Sequence, residues 1–469
     1  MQVKKRVFGI WYWCFILVAG SISSNSFSAE PPNIVIIISD DLGWTDAGCY
    51  GSDLYETPNI DRLAEEGLRF TNAYTAASLC SPMRASFQTG QTPARLHLTD
   101  VLNASLSPVD SPLKPAESLD NLPTETLSIA EVMHQVGYTT GLLGKWHIGG
   151  RGSQPQDHGW DVFDPDFRHH GGDYREDNNY CTDLMADNAE QFIRDNADSR
   201  FFLMLSFYAM HIPLASKQSK YKKYHDKLAT RPVRTYNHGN AWYAGMLESI
   251  DDGVGQVRDV LKELGLDDNT VVIYYSDNGG LSNGYNGLLA RYDALDWEIH
   301  SPPTNNAPLR SGKGHLYEGG IRVPLVVRWP GVTRAGALRH TPVSSIDFLP
   351  TFAEMAGLEV ASLKTHGPLD GASMLPVLKG DDTDAEQRTL YWHYPHFSNE
   401  GGRPGAAIRD GDWKLIWHYE TDAVELYNLQ EDLSEMHDLV NAMPQKAKQM
   451  KEKLNNWLSD SGALMPIRK

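Results

Sequence analysis

Short runs of β-branched and aromatic residues recur along the chain, bounded by Gly, Pro or Asn and ending in polar residues. Ile34 to Ile38 ends in Ser39, Asp40 and Asp41, and Val271 to Tyr275 ends in Ser276, Asp277 and Asn278. Tyr138 to Leu143 leads into Lys145 and His147, Phe201 to Tyr208 leads into His211, and Ile321 to Trp329 is a further candidate. Runs that are apolar throughout, rather than at alternate positions, predict strands buried on both faces. Between them lie helical patterns over Asn59 to Gly67, over Leu127 to Val136 stopped by Gly137, and over Met246 to Leu264 stopped by Gly265. In the last, Met246, Ile250, Val254, Val257, Leu261 and Leu264 recur at helical spacing. Strands alternating with helices predict an α/β fold, a large and mainly parallel sheet sandwiched by helices. Ligand sites in such sheets form beyond the carboxyl ends of the strands, where the polar residues fall.

After about Gly380 the pattern changes to short candidate strands at Thr389 to His393, Ala406 to Arg409, Trp413 to Tyr419 and Glu425 to Leu429, then a helix from about Pro444 to Ser459. This predicts a smaller C-terminal subdomain of antiparallel sheet plus helix over residues 381–469, following a catalytic domain over 30–380. Residues 1–29 form a third unit. Lys4, Lys5 and Arg6 precede the apolar run Val7 to Gly20 and a Ser-rich stretch ending at Ala29, which is the pattern of a signal peptide. The run is short for a membrane span. The chain is therefore expected to be exported, periplasmic or secreted, with no stable membrane insertion after signal removal.

Charge narrows the set of partners. The formal net charge is -18, and losing the three basic residues of the leader takes it to -21. Nucleic acid is excluded as a partner on this ground. An acidic protein that binds an anion must gather its cations locally. Four Cys, one of them in the leader, are too few for a disulfide scaffold; Cys49 and Cys181 either pair or stay buried as thiols.

The strongest local signal is Cys80-Ser81-Pro82-Met83-Arg84-Ala85-Ser86, followed by Thr89-Gly90. Pro82 suits a first helical turn, so Cys80 is expected at a helix N-terminus, where backbone N–H groups and the dipole favour an anion. The two Asp after the first strand, with Asp277 and Asn278 after another, offer only oxygen ligands. Such a set selects a hard cation, calcium or magnesium, over zinc. Each piece has an ordinary alternative: an isolated Cys is commonly structural, and Asp-Asp after a strand is commonly a turn.

Taken together, these residues resemble the type I, formylglycine-dependent sulfatases of the alkaline-phosphatase-like superfamily, with a bias toward bacterial polysaccharide sulfatases. In that family the Cys of C-x-P-x-R-A-S is converted to Cα-formylglycine by a dedicated maturation enzyme, which the resemblance makes a partner here. The resemblance implies that Asp40, Asp41, Asp277, Asn278 and the modified Cys80 hold Ca2+, with Mg2+ as an option. Lys145 in Gly144-Lys145-Trp146-His147 would contact the sulfate, and His147 would deprotonate the covalent intermediate. His211 and Lys313, the latter in Gly312-Lys313-Gly314-His315-Leu316-Tyr317-Glu318-Gly319-Gly320, would meet the ester oxygen, with His211 as acid. Arg84, Lys145 and Lys313 would neutralise the non-bridging oxygens.

The implied chemistry uses an aldehyde hydrate. One hydroxyl attacks sulfur and expels the alcohol; loss of the other hydroxyl's proton then ejects sulfate and restores the aldehyde. A Ser in that place has no equivalent second step. The expected substrate is a sulfated oligo- or polysaccharide, with galactose or N-acetylgalactosamine favoured. His315, His393, His396 and Arg403 are candidate substrate-binding residues, and the His- and Gly-rich stretch Arg168 to Tyr180 is another candidate lining; packing within the subdomain is the equal reading for the C-terminal three. Asn103-Ala104-Ser105 matches a glycosylation sequon, relevant only in a eukaryotic secretory host. Two other activities fit the same residues: a phosphomonoester or phosphonate hydrolase of the same superfamily, and a non-catalytic sulfated-glycan binder in which Cys80 is never oxidised.

Overall fold

The computed structural model describes residues 31–102, 104, 108, 110–164, 180–230, 238–282, 302–381 and 388–469. The leader, Asn103 of the sequon and positions 168–179 of the His-rich stretch lie outside the described residues.

The central strand, β1 (Asn33–Ser39), is buried along its whole length. Its residues alternate between two cores: Ile34, Ile36 and Ile38 enter one, Val35 and Ile37 the other. Each fully buried aliphatic side chain contributes about 1.5–3 kcal/mol, so a run apolar at every position is stabilised by cover on both faces. Helix α1 (Pro58–Glu66) follows, with the side chain of Asp251 accepting its first backbone N–H groups, and then the short strand β2 (Leu68–Phe70).

Helix α2 (Cys80–Thr89) begins at Cys80 and is buried at every residue. Helix α3 (Ile129–Gln135) starts two residues later than its apolar pattern, because Ser128 and Glu131 close a capping box at its N-terminus. It leads to β3 (Thr139–Gly144), β4 (Val162–Asp164), α4 (Cys181–Asp195) and β5 (Phe201–Ser206). Helix α5 (Ala241–Glu263) starts five residues before its apolar stripe, where Asn240 accepts from the N–H groups of Trp242 and Tyr243. Strands β6 (Thr270–Ser276), β7 (Leu325–Arg328) and β8 (Ala337–Arg339) and helix α6 (Phe348–Met355) follow. The predicted strand Ile321 to Trp329 is realised only in part. Pro324 has no N–H for a ladder, and Glu318–Ile321 forms a helical turn instead.

The sheet has eight strands in the order β8-β2-β7-β6-β1-β5-β3-β4. From β6 through β4 all pairings are parallel, whereas β7 runs antiparallel to both its neighbours. The registers Ser39↔Ser276, Ile38↔Ser206 and Gly144↔Ser206 bring the carboxyl ends of β6, β1, β5 and β3 to one level. The segments leaving those four ends carry Asp277 and Asn278, Asp40 and Asp41, His211, and Lys145 and His147.

The C-terminal part is the expected antiparallel sheet, β9 (Thr389–Tyr394), β10 (Gly405–Asp410), β11 (Trp413–His418) and β12 (Val424–Asn428), in that order, covered on one side by α7 (Pro444–Asp460). Its other side packs Trp392, Tyr394, Ile416 and Tyr427 against Tyr74, Leu79 and Ile321. Cys49 keeps a free thiol, so it does not pair with Cys181. Among the described residues no helix is long and apolar enough to cross a membrane.

Candidate functional site

The backbone fixes the strand ends against one another before any side chain acts. Asp40 N–H donates to Ala209 O and Met210 N–H to Asp40 O, which ties the His211 segment to β1. Lys145 N–H donates to Ser206 O, and Lys313 N–H to Gly280 O. A Cβ on Gly279 would lie 1.8 Å from the carbonyl of Gly319, so only glycine permits this crossing of the β6 loop and the Lys313 loop. Glu318, in the same loop, is anchored at 2.9 Å by Lys414 of β11, which also binds Glu435. The C-terminal sheet thereby holds the Lys313 loop in place.

Three buried carboxylates and three buried cations meet here. Lys145 Nζ donates to Asp40 and Lys313 Nζ to Asp41, the latter at 2.8 Å. Arg84 holds Asp277 Oδ2 with Nη2 at 2.8 Å and Nε at 3.2 Å. Its Nη1 donates to Ser206 Oγ at 2.6 Å and Lys145 O at 3.0 Å. All six groups are at most 6% exposed. Burial works to discharge Lys145 and Lys313, but Asp40 and Asp41 outweigh it and hold both above the usual lysine range. The reverse holds for the acids: despite burial, Lys145 keeps Asp40 down and Lys313 keeps Asp41 down. Asp277 is pushed up by burial and by the charge of Asp40. Collecting six charges out of water costs several kcal/mol per ion, which marks the cluster as functional rather than stabilising.

Two acceptors in the cluster have no hydrogen-bond partner, Asp40 Oδ1 and Asn278 Oδ1, although both side chains are fully buried. Orphaned acceptors of this kind are costly. Asp40, Asp41 and Asp277 each present a carboxylate oxygen within a 4.8 Å span, and the donor set is entirely oxygen. These residues fit a hard divalent cation. Asp41 and His147 take positive φ, 66° and 59°, a strained backbone that concentrates at functional positions.

Cys80 is 1% exposed at the first turn of α2, and burial pushes its thiol up to about 12. An unmodified thiol here is neutral and a poor nucleophile. His147 is pushed down by burial and by Lys145, which keeps its imidazole neutral, and its Nδ1 is unpartnered. Burial and Lys313 also push His211 down, against the pull of Asp41 and Asp40. Its Nδ1 lies 2.7 Å from Ile212 O.

Two cavities flank these groups. The larger, about 840 Å3, is lined by the polar residues Asp40, Lys145, His147 and His211 and by Trp146, Phe163, Tyr180, Tyr208, Ile212 and Met246. The smaller, about 150 Å3, has Cys80, His147, His211 and Lys313 among its lining residues. His147 and His211 belong to both.

The sequence-predicted residues divide accordingly. Asp40, Asp41, Cys80, Lys145, His147, His211, Asp277, Asn278 and Lys313 converge. Arg84 joins them from behind, because its guanidinium is committed to Asp277, Ser206 and Lys145 O and lines neither cavity. Of the substrate-binding candidates none lines either of these two cavities. His393 bonds Tyr419 and Leu464 O within the subdomain, and Arg403 pairs with Glu420 at the surface. His396 binds Thr99 Oγ1 at 2.7 Å, and His315 Nδ1 sits 3.2 Å from Lys313 O. The sequence reading did not single out Ser206, Asp100, Tyr394 or Glu400; Ser206 at the end of an apolar run is the one with a legible signal.

Comparison with known proteins gives this arrangement its family. Residues 32–358 match the family model described as Sulfatase, and residues 311–461 match N-sulphoglucosamine sulphohydrolase, C-terminal. A protein named sulfatase from Formosa agariphila is 32% identical, the alignment covering 92% of this chain and 90% of that one. N-acetylgalactosamine-6-sulfatase of Rattus norvegicus is also 32% identical, covering 74% and 66%. The crystal structure of Ps i-CgsB in complex with k-i-k-neocarrahexaose superposes with a TM-score of 0.75 at 29% identity, covering 92% and 94%. A family match across most of the chain, on a fold whose strand ends carry the matching residues, makes this protein a member of the sulfatase family and a sulfuric ester hydrolase.

Proposed function

We propose that this sulfatase removes an O-sulfate from a sulfated carbohydrate of galactose or N-acetylgalactosamine type, using Cys80 after its oxidation to formylglycine. The observation that carries the reading is the convergence of Cys80 with His147, His211 and Lys313 on one cavity, beside the oxygen cluster. The sugar class draws support from the relative named N-acetylgalactosamine-6-sulfatase and from the neocarrahexaose held by Ps i-CgsB.

Asp40, Asp41, Asp277 and Asn278 would hold a calcium ion. Such an ion supplies Lewis-acid polarisation and offsets charge on sulfate oxygens. Oxidised Cys80 would supply the nucleophile as a hydrated aldehyde, which a neutral thiol cannot replace.

The remaining steps fall to side chains. Lys145 and Lys313 meet the non-bridging oxygens, each contributing a few kcal/mol in a poorly hydrated site. Arg84 acts one layer back by orienting Asp277, a role its hydrogen bonds support. His147, held neutral, takes a proton from the modified Cys80 after sulfur transfer. His211 gives a proton to the leaving oxygen; the negative charge of a bound ester offsets the burial and Lys313 that otherwise keep it unprotonated. The leader supports an exported enzyme that meets its glycan outside the cytoplasm, after modification by a formylglycine-generating enzyme.

The test is sulfate release from defined sulfated mono- and oligosaccharides, run beside matched phosphate esters, together with intact-mass analysis of the peptide containing Cys80. Release from sulfated galactose or N-acetylgalactosamine, faster than phosphate release, with an aldehyde in place of the thiol, is the expected result. Faster phosphate hydrolysis, or turnover with an unmodified thiol, would overturn the proposal.

A further inference from the structure

The smaller cavity has lining residues that the chemistry above leaves unused. Lining the same cavity as Cys80 and Lys313 are Asp100, in the segment after α2, and Tyr394, Asn399 and Glu400, at and beyond the end of β9. The two carboxylates reach this lining from points 300 residues apart in sequence, and both are at least nine-tenths buried. Glu400 lies against the Lys313 loop: a Cβ on Gly314, where φ is +82°, would sit 3.2 Å from Glu400 Oε2. Asp100 Oδ1 accepts the N–H of Val101 at 2.9 Å, and Oδ2 lies 3.7 Å from His396 Nδ1. Burial pushes Asp100 up to about 7, with the charge of Glu400 adding to the effect.

Two buried carboxylates on one small wall are unfavourable for folding, so their chemistry toward a ligand explains them better than packing does. Carboxylate oxygens accept hydrogen bonds from hydroxyls and repel other anions. Lys313 is the one Lys or Arg among the described residues lining this cavity, and in the proposed mechanism the sulfate already engages it. A second anion on the substrate would therefore find no further Lys or Arg on this lining and would face the charge of Asp100 and Glu400.

We infer that Asp100 and Glu400 form a specificity wall that accepts the hydroxyls of a neutral sugar beside the sulfated carbon and rejects a sugar bearing a carboxylate or a second sulfate there. The inference rests on the carbohydrate-sulfatase reading and narrows it to singly sulfated, otherwise neutral residues.

The experiment is run at pH 8, above the range in which burial holds Asp100 protonated, and compares kcat/KM for a neutral monosulfated sugar with two partners, one carrying a uronate carboxyl and one a second sulfate on the neighbouring carbon. The wild-type enzyme is expected to prefer the neutral sugar by about tenfold or more, and Asp100→Asn or Glu400→Gln to shrink that ratio severalfold, mainly through KM. Loss of packing alone would lower all three substrates in proportion and leave the ratio unmoved. An unmoved ratio, or a wild-type ratio near one, overturns the inference. The wild-type ratio needs no variant, and each substitution backs up the other should one fail to fold. Failure of the parent reading looks different, since no sulfate would be released from any of the three sugars.

Discussion

Arg84 grips a single oxygen of Asp277 with two donors, Nη2 at 2.8 Å and Nε at 3.2 Å, while the other carboxylate oxygen accepts the backbone N–H of Asp41 at 3.1 Å. Asp277 is thus fixed at both ends, one by α2 and one by the β1 loop. Removing the guanidinium leaves a buried carboxylate uncompensated. Arg84→Ala should destabilise the protein by about 3–5 kcal/mol, and Arg84→Lys, which keeps charge without the fork, by less. Thermal unfolding checks the first figure. Both variants should also lose kcat more than they raise KM, because Arg84 touches Asp277 and not the ester. A change confined to KM would place Arg84 on the substrate instead.

Cys80 is buried in a helix where Ser is close in size, and burial keeps its thiol protonated. Cys80→Ser should therefore fold with an unfolding temperature within a few degrees of wild type, while sulfate release falls to background. The serine hydroxyl can attack once at most, since it has no second hydroxyl whose proton loss would eject sulfate. Single-turnover analysis would show at most one alcohol released per chain, with the sulfo group left on the protein. Sustained turnover in this variant would rule out the aldehyde mechanism.

Chelation tests the oxygen cluster with a readout independent of activity. Asp40 Oδ1 and Asn278 Oδ1 are buried acceptors with no hydrogen-bond partner, so a cation that satisfies them should raise the unfolding temperature. Prolonged dialysis against a chelator should lower that temperature and abolish sulfate release, and calcium should restore both. Asn278→Ala should weaken the calcium response by at least about tenfold in the concentration required. An unfolding temperature indifferent to chelation and calcium would exclude a bound cation there.

The parts of this site that the sequence displays are those that follow apolar runs. Asp40, Lys145, His211 and Asp277 each lie within a few residues of a buried strand, and parallel register alone aligns those ends. Charge placement was not readable in the same way. Arg84 looks like a sulfate ligand until its partner Asp277, 193 positions away, is known. His393 and Arg403 sit among aromatic residues that read equally as sugar binding or as packing; the contacts of His393 with Tyr419 and Leu464, and the surface ion pair of Arg403 with Glu420, are visible only once the fold is known. Asp100 and Glu400 carry no motif; only the fold brings them to one wall.

Asp100 makes stability depend on pH in an unusual direction. Its folded pKa is pushed up to about 7 from an ordinary 3.8, by burial first and by Glu400 next. Between those two values the folded state binds the proton that the unfolded chain has released, so stability falls as pH rises through the window. Each unit is worth about 1.4 kcal/mol, which makes the total a few kcal/mol. Asp100→Asn removes the titrating group and nearly preserves its shape. The variant should match wild type near pH 4 and exceed it in unfolding temperature at pH 8, the gap opening across the window. His396, facing the same carboxylate, is pushed down to about 3, so below its ordinary 6.5 only the unfolded chain binds its proton and it adds an opposite, rising slope; that slope is common to both proteins, and the difference between their curves isolates Asp100. Chemical denaturation at a series of pH values gives the two curves directly; parallel curves would show that Asp100 carries its charge in the folded protein at neutral pH.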